Sequence, residues 1–348
     1  MKKKGLAATV ITLALTVCLV TGCTWKQEKE TENVEKELVT VGFSQVGAES
    51  DWRTANSVSV KDTFTLERGY NLLFEDARQK QTNQIRAIRG FIQQGVDYIV
   101  FSPVVEKGWD TVLEEAKRAE IPVIVIDRMI DVEDEQLYEA WIGSDFYMQG
   151  RKACEVLRQY INKHHIEEVN IVNIQGTIGA TSQVERSKAL EETAEKYGWN
   201  LLAQESGEYT QAKSYEVMKE LLEKYENINF VYCENDNEAL GVIDAIRDAG
   251  KQVGTDNGIQ VISFDATRKG LESTLKGEIL INMECNPLQG PGAERVIRKL
   301  EAGEEVIKQQ YVSEQIFMYG EEVPEIQLGG KRYEIVPVTA EIIEGREY

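Results

Sequence analysis

Short apolar runs rich in β-branched residues alternate with amphipathic stretches along most of this chain. Ile85, Ile88, Phe91 and Ile92, for example, recur at helical spacing. Apolar strands that alternate with helices are typical of a parallel sheet covered on both faces. The first predicted strands are Val39–Ser44, Tyr70–Phe74, Tyr98–Phe101 and Val123–Ile126, and the helices between them are roughly Trp52–Arg68, Asn83–Gln94 and Trp109–Ala119.

The same rhythm starts again after Trp141-Ile142-Gly143. Two similar halves predict an α/β protein with two doubly wound parallel-sheet lobes. Six prolines and no long Pro/Ser linker favour lobes that are joined by short crossing strands. The second set of strands is Asn170–Ile174, Leu201–Glu205, Phe230–Cys233, Ile259–Phe264 and Leu280–Glu284, with helices at roughly Asp145–Asn162, Ser182–Tyr197, Ala212–Lys224 and Glu238–Ala249.

The first residues have the layout of a bacterial export signal. Lys2 to Lys4 form a basic start, residues 5–20 are apolar, and Val20-Thr21-Gly22-Cys23 follows. This order resembles the lipobox, in which the cysteine becomes the lipidated first residue of the mature chain. An ordinary signal peptide with an incidental cysteine is the alternative. We therefore expect a signal peptide at 1–22, a polar lipid-anchored linker at 23–37, and a location on the extracellular face of the cell membrane.

Composition excludes several classes of function. With 59 Asp and Glu against 39 Lys and Arg, the chain lacks the basic face that nucleic-acid binding needs. Beyond the signal, Cys154, Cys233 and Cys285 are an odd set without a CxxC pair, so a disulfide framework or metal cluster is poorly supported. The only histidines, His164 and His165, are adjacent at the predicted end of a helix. We therefore expect no catalytic residue, no metal and no cofactor.

Polar side chains follow most of the predicted strands, at the sheet edge where ligands of α/β proteins bind. Carboxylates, guanidinium groups and carboxamides beside an aromatic ring suit a neutral polyol, because a hydroxyl both donates and accepts hydrogen bonds. The residues in question are Gln45, Glu49, Trp52 and Arg53 after the first strand, Asp127 and Arg128 after the fourth, and Gln175 with Arg186, Glu234 to Asp236, Asp265, Glu284 and Asn286 in the second half.

Structural alternatives exist for three of these groups. Glu49 and Arg53 could form a surface ion pair worth only ~0.3–0.5 kcal/mol. Asp127-Arg128 could be a structural ion pair at the lobe interface. Gly176-Thr177-Ile178-Gly179 lacks the Lys-Ser/Thr of a Walker loop and the third glycine of a dinucleotide fingerprint, so a tight turn that clears the cleft is favoured over a phosphate cradle.

Several segments resemble the periplasmic sugar-binding proteins of the ribose-binding type, the pentose/hexose family of the ABC transporters, and among them the galactofuranose-binding members most closely. The most specific is Val41 to Arg53, which reads Val-Gly-Phe-Ser-Gln-Val-Gly-Ala-Glu-Ser-Asp-Trp-Arg. The others are Gln79 to Ile85, Pro103-Val104-Val105 with Gly108-Trp109, Ile121 to Arg128, Gln175 to Ala180 with Arg186, Asn235-Asp236 and Asp265.

The resemblance implies a type I periplasmic binding protein, with two lobes linked by three crossing segments. It places 38–142 and 286–308 in the N-terminal lobe, and 143–285 and 309–348 in the C-terminal lobe with an extension. The residues that precede Arg186, and Ala266 after Asp265, depart from the family pattern. The implied ligand contacts are Glu49, Arg53, Asp127, Arg128, Arg186, Asn235 and Asp265, with Trp52 a weaker candidate and Gln45 another.

The expected function is a monomeric substrate-binding lipoprotein of an ABC transporter. It would capture a monosaccharide, galactofuranose-like or a related aldose, and deliver it to the permease subunits without chemical turnover. The alternative is a sugar-sensing module for a membrane kinase or chemoreceptor. An enzyme acting on the same sugar lacks a base, and a transcription regulator of similar fold is disfavoured by the export signal and the absence of a helix-turn-helix.

Overall fold

The computed structural model describes residues 38–254 and 258–348. The predicted signal peptide, linker and lipidation site Cys23 lie outside these residues. The first lobe is built from β1 Val39–Gln45, α1 Asp51–Thr63, β2 Tyr70–Asp76, α2 Gln81–Gln94, β3 Tyr98–Phe101, α3 Asp110–Arg118, β4 Val123–Ile126 and β5 Ala140–Gly143. Its strands are parallel and lie in the order β2-β1-β3-β4-β5.

The second lobe repeats this plan. Its elements are α4 Phe146–Lys163, β6 Asn170–Gln175, α5 Thr181–Tyr197, β7 Asn200–Ser206, α6 Gln211–Lys224, β8 Phe230–Cys233, α7 Asp236–Asp248, β9 Gln260–Asp265, α8 Arg268–Leu275 and β10 Ile281–Glu284. The order β7-β6-β8-β9-β10 matches that of the first sheet. The predicted α/β fold of two doubly wound lobes is thereby confirmed, and each sheet has a switch point where ligands of such folds bind.

The remaining elements show how the chain returns to each lobe. They are α9 Gly290–Glu301, β11 Gln309–Tyr311, β12 Ile316–Met318, β13 Glu325–Leu328, β14 Lys331–Glu334, β15 Val336–Pro337 and α10 Ala340–Glu344. Helix α9 packs on α1, and β11 pairs with β5, so both belong to the first lobe. Three segments therefore link the lobes, and we call them the first crossing (144–145), the second crossing (285–289) and the third crossing (312–315).

Two boundaries differ from the sequence-based expectation, and the division at 142/143 is the smaller case, because Gly143 is the last residue of β5 in the first sheet. The division at 308/309 places Gln309–Tyr311 in the C-terminal lobe, whereas this strand hydrogen-bonds beside Trp141–Gly143 in the first sheet. Its three residues are too short and too polar to carry a strand pattern of their own. The third crossing therefore begins after Tyr311.

The first helix is also shorter than its predicted span, Trp52–Arg68. It ends at Thr63, and Phe64 leaves the helical geometry at ψ 67°. The Phe64 ring then packs edge-on against Tyr70, with the ring centres 5.1 Å apart. Burying this aromatic pair in the core outweighs continuation of the helix.

The C-terminal extension covers the second lobe. Strand β12 lies antiparallel to β10, and β15 joins its outer edge. The β13–β14 hairpin packs against α4. Arg346 and the hydroxyl of Tyr348 both donate to Oε1 of Glu284, which ties the end of the chain to the strand that leads into the second crossing.

Each sheet buries both of its faces. In β3, Ile99 and Phe101 contribute to one apolar cluster, while Tyr98 and Val100 contribute to the cluster on the opposite face. This burial explains why the strands are apolar throughout rather than alternating. Within 38–254 and 258–348, no helix has the length and apolarity to cross a membrane, and no group of three or more His, Cys, Asp or Glu side chains could hold a metal ion.

A substitution at Gly42 can show how tightly the first sheet packs on α2. A Cβ atom at this position in β1 would lie 2.5 Å from Cγ of Phe91. We expect Gly42→Ala to lower the free energy of unfolding by about 1–3 kcal/mol, measured by urea unfolding followed by circular dichroism.

Gly90→Ala is the matched control, because a Cβ on this α2 residue would have no atom within 4 Å. A better helix former at an open position should raise the free energy of unfolding by about 0.5–1 kcal/mol. Equal stability of the two variants would contradict the close contact between β1 and Phe91.

Candidate ligand-binding site

The carboxyl ends of the strands of both lobes surround one cavity. Only about 30 Å³ of this space is open to the centre of a water molecule, so the two lobes lie close together around it. The lining residues are Glu49, Ser50, Trp52, Arg53, Asp127, Arg128, Phe146, Ser182, Arg186, Tyr209, Asn235, Asp265 and Cys285. Eight of the nine candidate ligand contacts from the sequence, all except Gln45, are among them, and contact with a ligand stays a prediction for each.

The start of α1 positions the first group. Ser50 caps the helix by accepting a hydrogen bond from the backbone N–H of Arg53, which places Trp52 and Arg53 in the first turn. Glu49 precedes the cap, and its side chain is turned inward with only 1% exposed. The Glu49–Arg53 pair is therefore buried, not the surface pair that sequence spacing also allowed.

Arg53 is the centre of a paired network in the first lobe. Its Nε donates to Glu49 Oε1 at 3.0 Å, and its Nη2 lies 2.7 Å from Asp127 Oδ2. Ser102 accepts from Arg53 and donates to the same carboxylate of Asp127. Burial lowers the pKa of Arg53, but Asp127 and Glu49 outweigh it and leave the pKa above its ordinary value. The guanidinium therefore stays charged and fixed in place.

Arg128 has a looser set of partners. It lies 3.5 Å from Glu49 Oε1 and donates to the carbonyl of Val104, and its guanidinium carbon is 5.2 Å from the ring centre of Tyr209. Its separation from Asp127 is 4.0 Å, so the simple Asp127–Arg128 pair is weak here. Burial and the nearby Arg53 lower the pKa of Arg128. A hydrogen-bond acceptor from a ligand would complete its coordination.

One carboxylate oxygen of a lining residue has no hydrogen-bond partner. Oε2 of Glu49 is buried and receives no hydrogen bond from any described residue. It lies on the side of Gly47, where an added Cβ would be 3.3 Å from it. A buried acceptor without a donor costs about 1–3 kcal/mol, so Glu49 is the incompletely satisfied member of this group.

The second lobe contributes Arg186 from α5. Its Nη2 and Nε donate to Oε1 of Gln149, at 2.8 and 3.2 Å, and its Nη1 donates to the carbonyl of Glu234. The guanidinium carbon lies 4.5 Å from the ring centre of Phe264 and 5.2 Å from that of Phe146. The side chain is thus held from behind, with the carboxylate of Asp265 4.0 Å away.

Asp127 and Asp265 occupy equivalent places in the two lobes. Asp127 directly follows β4 and Asp265 is the last residue of β9, the fourth strands in the two sheet orders, and each has a left-handed backbone, at φ 63° and 101°. Ala266, where the family pattern often has glycine, is left-handed as well, at φ 52°. Such backbone strain in non-glycine residues concentrates at functional sites. Burial raises the pKa of Asp265 well above its ordinary value, although Arg186 opposes the shift.

Asn235 is largely committed to the fold. Its Oδ1 accepts from the backbone N–H of Glu238 and caps α7, while its Nδ2 donates to the carbonyl of Tyr209 at 3.2 Å. One hydrogen of this amide is left to face the cavity.

Aromatic rings form the apolar walls. Trp52, Phe146 and Cys285 make a small cluster, and the indole N–H of Trp52 donates to the carbonyl of Cys285. On the far side, the hydroxyl of Tyr209 lies 2.6 Å from that of Ser182. Apolar ring faces beside charged groups match the amphipathic surface of a sugar.

Five lining residues were not predicted. Tyr209 and Cys285 follow the ends of β7 and β10, so the rule that selected Asp127 and Asp265 could have found them. Ser50 is next to Glu49 in the chain. Phe146 and Ser182 lie in the first turns of helices, and no local pattern marks them as lining residues.

Other strand-end residues lie behind the cavity. Gln45 accepts from Arg53 and donates to Asn56, so it supports the network without lining the space. The carboxylate of Glu284 accepts hydrogen bonds from the C-terminal residues Arg346 and Tyr348. Gly176 lies under Tyr209, where a Cβ would be 1.9 Å from the ring. The 176–179 turn therefore makes room for the aromatic wall, in line with a turn rather than a phosphate cradle.

Comparison with known proteins assigns this geometry to a family. The family model described as "Periplasmic binding protein domain" matches residues 41–287. The chain belongs to the periplasmic binding protein family. Beyond the family match lie α9, β11 and the extension.

Relatives in this family bind furanose sugars. The galactofuranose-binding protein of Escherichia coli (strain K12) is 38% identical over 73% of this chain and 79% of its own length. A Mycobacterium smegmatis protein solved in complex with β-D-fucofuranose is 41% identical, with a TM-score of 0.77 over 80% of this chain and 91% of that one. The binding component of the arabinose ABC transporter of Shewanella sp. ANA-3, bound to α- and β-L-arabinofuranose, is 38% identical, with a TM-score of 0.75 over 80% and 91%.

The buried carboxyl group of Glu234 in the second lobe predicts how the stability of the protein depends on pH. Burial raises its pKa from 4.5 to about 7, although the N–H of Gly176 and the hydroxyl of Ser187 donate to it. Between these two values the folded protein binds more protons than the unfolded chain, so stability falls as pH rises through this window. Glu234→Gln should reduce that loss by up to about 3 kcal/mol, measured by urea unfolding from pH 4.5 to 8.

Glu216→Gln, on the exposed face of α6, is the control and should retain the wild-type dependence on pH. If Glu234→Gln loses as much stability over this range as the wild type, Glu234 does not take up a proton in the folded state.

Proposed function

We propose that this protein is the sugar-binding component of an ABC importer, which captures a galactofuranose-like or related aldose between its lobes and delivers it to the permease. The observation that carries the proposal is the balance of charge in the cavity. Three guanidinium groups, those of Arg53, Arg128 and Arg186, face three carboxyl groups, those of Glu49, Asp127 and Asp265. Such a set supplies donors and acceptors to hydroxyl groups without favouring a charged ligand.

The relatives narrow the sugar class. Proteins that are 38–41% identical to this chain are named for, or solved with, galactofuranose, β-D-fucofuranose and L-arabinofuranose. All three ligands are single sugar units with a five-membered ring. A monosaccharide in the furanose form is therefore the proposed ligand.

Closure of the two lobes is the proposed mechanism. The hydroxyl of Thr181 donates to the carbonyl of Met129, and Lys269 pairs with Asp51 at 2.8 Å, so contacts on two sides of the cavity join the lobes directly. A sugar that bridges both lobes would add its own hydrogen bonds to these contacts and shift the population toward the closed form. Micromolar affinity needs about −8 kcal/mol, within reach of several charge-assisted hydrogen bonds.

Import is proposed rather than sensing because of the relatives. The arabinose-binding relative serves a transporter, and a protein of Bifidobacterium longum that is 28% identical over 80% of this chain and 84% of its own length is named a fructose import binding protein. A sensory module would share the capture step and differ only in the membrane partner that reads the closed form. We propose capture without chemical turnover, by a monomer.

Ligand binding can be tested by thermal shift with D-galactose, D-fucose and L-arabinose, beside D-ribose, D-fructose and xylitol. At a hundredfold excess over Kd, a bound sugar should add about 2.7 kcal/mol of stability. Arg128→Ala and Asp265→Ala should each abolish this gain, because each removes a charged partner from one wall of the cavity.

Arg89→Ala is the control, since this arginine pairs with Glu115 at the surface and lies outside the cavity. It should respond to sugar like the wild type. The proposed site is wrong if both cavity variants respond normally, and the proposed function is wrong if the wild type responds to none of the sugars. Product formation on incubation with a sugar would show turnover.

The anchor proposed at Cys23 rests on the sequence alone. In a bacterial host, Cys23→Ser should move the protein from the membrane fraction to the medium, since serine cannot carry the thioether-linked lipid. Immunoblots of the two fractions make the measurement, with Cys154→Ser as the control. Retention of Cys23→Ser in the membrane fraction to the wild-type extent would refute lipidation at this residue.

A further inference from the structure

The carboxylate of Glu314 brings together all three segments that join the lobes. Glu314 lies in the third crossing and accepts hydrogen bonds from the other two. Its Oε1 accepts from the hydroxyl of Ser144 in the first crossing, at 2.5 Å, and from the backbone N–H of Asn286 in the second, at 3.2 Å. Ser144 is also 3.4 Å from the sulfur of Cys285, a lining residue of the cavity.

The other oxygen of Glu314 connects this point to the cavity. Its Oε2 accepts from Nε2 of Gln149, at 2.8 Å. The carbonyl of Glu284, just before the second crossing, accepts the other hydrogen of the same amide nitrogen, at 3.0 Å. On its opposite side, Gln149 accepts both hydrogen bonds from Arg186. A single buried amide therefore lies between the crossings and a guanidinium of the ligand cavity.

The amide of Gln149 has only one satisfactory orientation. Arg186 offers donors alone, so the carbonyl oxygen of Gln149 must face it. The NH₂ group must then face Glu314, and only an acceptor at position 314 can receive it. Asn286 also presents a backbone N–H that can only donate. The NH₂ group of Gln149, the hydroxyl of Ser144 and the N–H of Asn286 all donate to position 314, and together they require a carboxylate there.

We propose that Glu314 is a positioning residue, which fixes the ligand-binding orientation of Arg186 through Gln149 and couples it to the three crossings. The inference rests on the proposed function, because it concerns how the sugar-bound, closed form is held. Rotation of the lobes must change the backbone angles of the crossings, where hinges of such proteins lie. Contacts from two crossings to a carboxylate of the third therefore belong to a particular arrangement of the lobes.

The charged and titratable groups near Glu314 come from several elements. Arg186 on α5, Lys152 on α4 and the thiol of Cys285 in the second crossing act on it or are influenced by it. Burial raises the pKa of Glu314 to about 7, and hydrogen bonds from Ser144 and Gln149 oppose the shift. Measurements at pH 8 keep this carboxylate charged.

The test compares sugar binding by the full chain and by Glu314→Gln at pH 8. Titration calorimetry with D-galactose, D-fucose and L-arabinose gives Kd, and stopped-flow release gives the dissociation rate. In Glu314→Gln, the NH₂ group of the new glutamine must face other hydrogen-bond donors, either the NH₂ group of Gln149 or the donors of Ser144 and Asn286. We expect Kd to rise about tenfold or more, mainly through faster dissociation, because one buried donor loses its acceptor.

A reciprocal exchange separates positioning from a general loss of stability. In the double variant Gln149→Glu and Glu314→Gln, the carboxylate faces Arg186, and the new amide can donate to it while its oxygen accepts from Ser144 and Asn286. Part of the lost affinity should return, although the exchange at position 149 removes the hydrogen bond to the carbonyl of Glu284 and places an oxygen against it. If the double variant binds no better than Glu314→Gln, the pairing of 149 with 314 does not set affinity.

Glu294→Gln is the matched control. This carboxylate accepts from Arg298 and Arg68 on the first lobe, away from the cavity and the crossings. It should lower the melting temperature and leave Kd unchanged. If the wild type binds sugar and Glu314→Gln binds it with the same Kd, this inference alone is overturned. If the wild type binds none of the three sugars, the proposed function is overturned and the inference with it. Should Glu314→Gln not fold, an unchanged Kd in Ser144→Ala, which removes one donor to the same carboxylate, overturns the coupling to the crossings.

Discussion

The buried ion network of Arg53, Glu49 and Asp127 is the constraint on which the rest of the site depends. A guanidinium removed from water costs several kcal/mol unless carboxylates and hydrogen bonds surround it. Here both carboxylates lie within 3.0 Å of Arg53, and Ser102 links two members of the network. The network is satisfied except for one oxygen of Glu49. Its geometry is therefore set before a ligand arrives.

The repeated topology explains why charges from distant parts of the chain meet. Both sheets have the same strand order, and the carboxyl ends of both face one space. Asp127 and Asp265 lie at the carboxyl ends of equivalent strands and share a left-handed backbone, so each lobe contributes a carboxylate at nearly the same relative place. Two copies of one architecture thus produce a site with two opposed walls, although their side chains differ.

The two kinds of contact in this molecule have different roles. Inside each lobe, apolar strands are covered on both faces, and such cores resist deformation. Between the lobes, the contacts include the small apolar cluster of Trp52, Phe146 and Cys285 and polar pairs such as Lys269 with Asp51 and Thr181 with Met129. Rigid lobes joined through short crossings favour motion at the crossings over motion within the sheets. The C-terminal residues that hold Glu284 stiffen one of these crossings from outside.

Local patterns in the sequence determined the two α/β lobes, nearly all the strands that form the cavity edge, and the residues that follow those strands. Periodicity and the rule of carboxyl ends suffice for this, because both act over a few neighbouring residues. Only the tertiary structure decided which partner each charge takes, that β11 returns to the first sheet, and that Phe146 and Ser182 line the cavity. Glu314 meets Ser144 across 170 positions and Gln149 across 165. No local pattern encodes contacts over such distances, since they exist only once both lobes have folded and the chain has crossed between them three times.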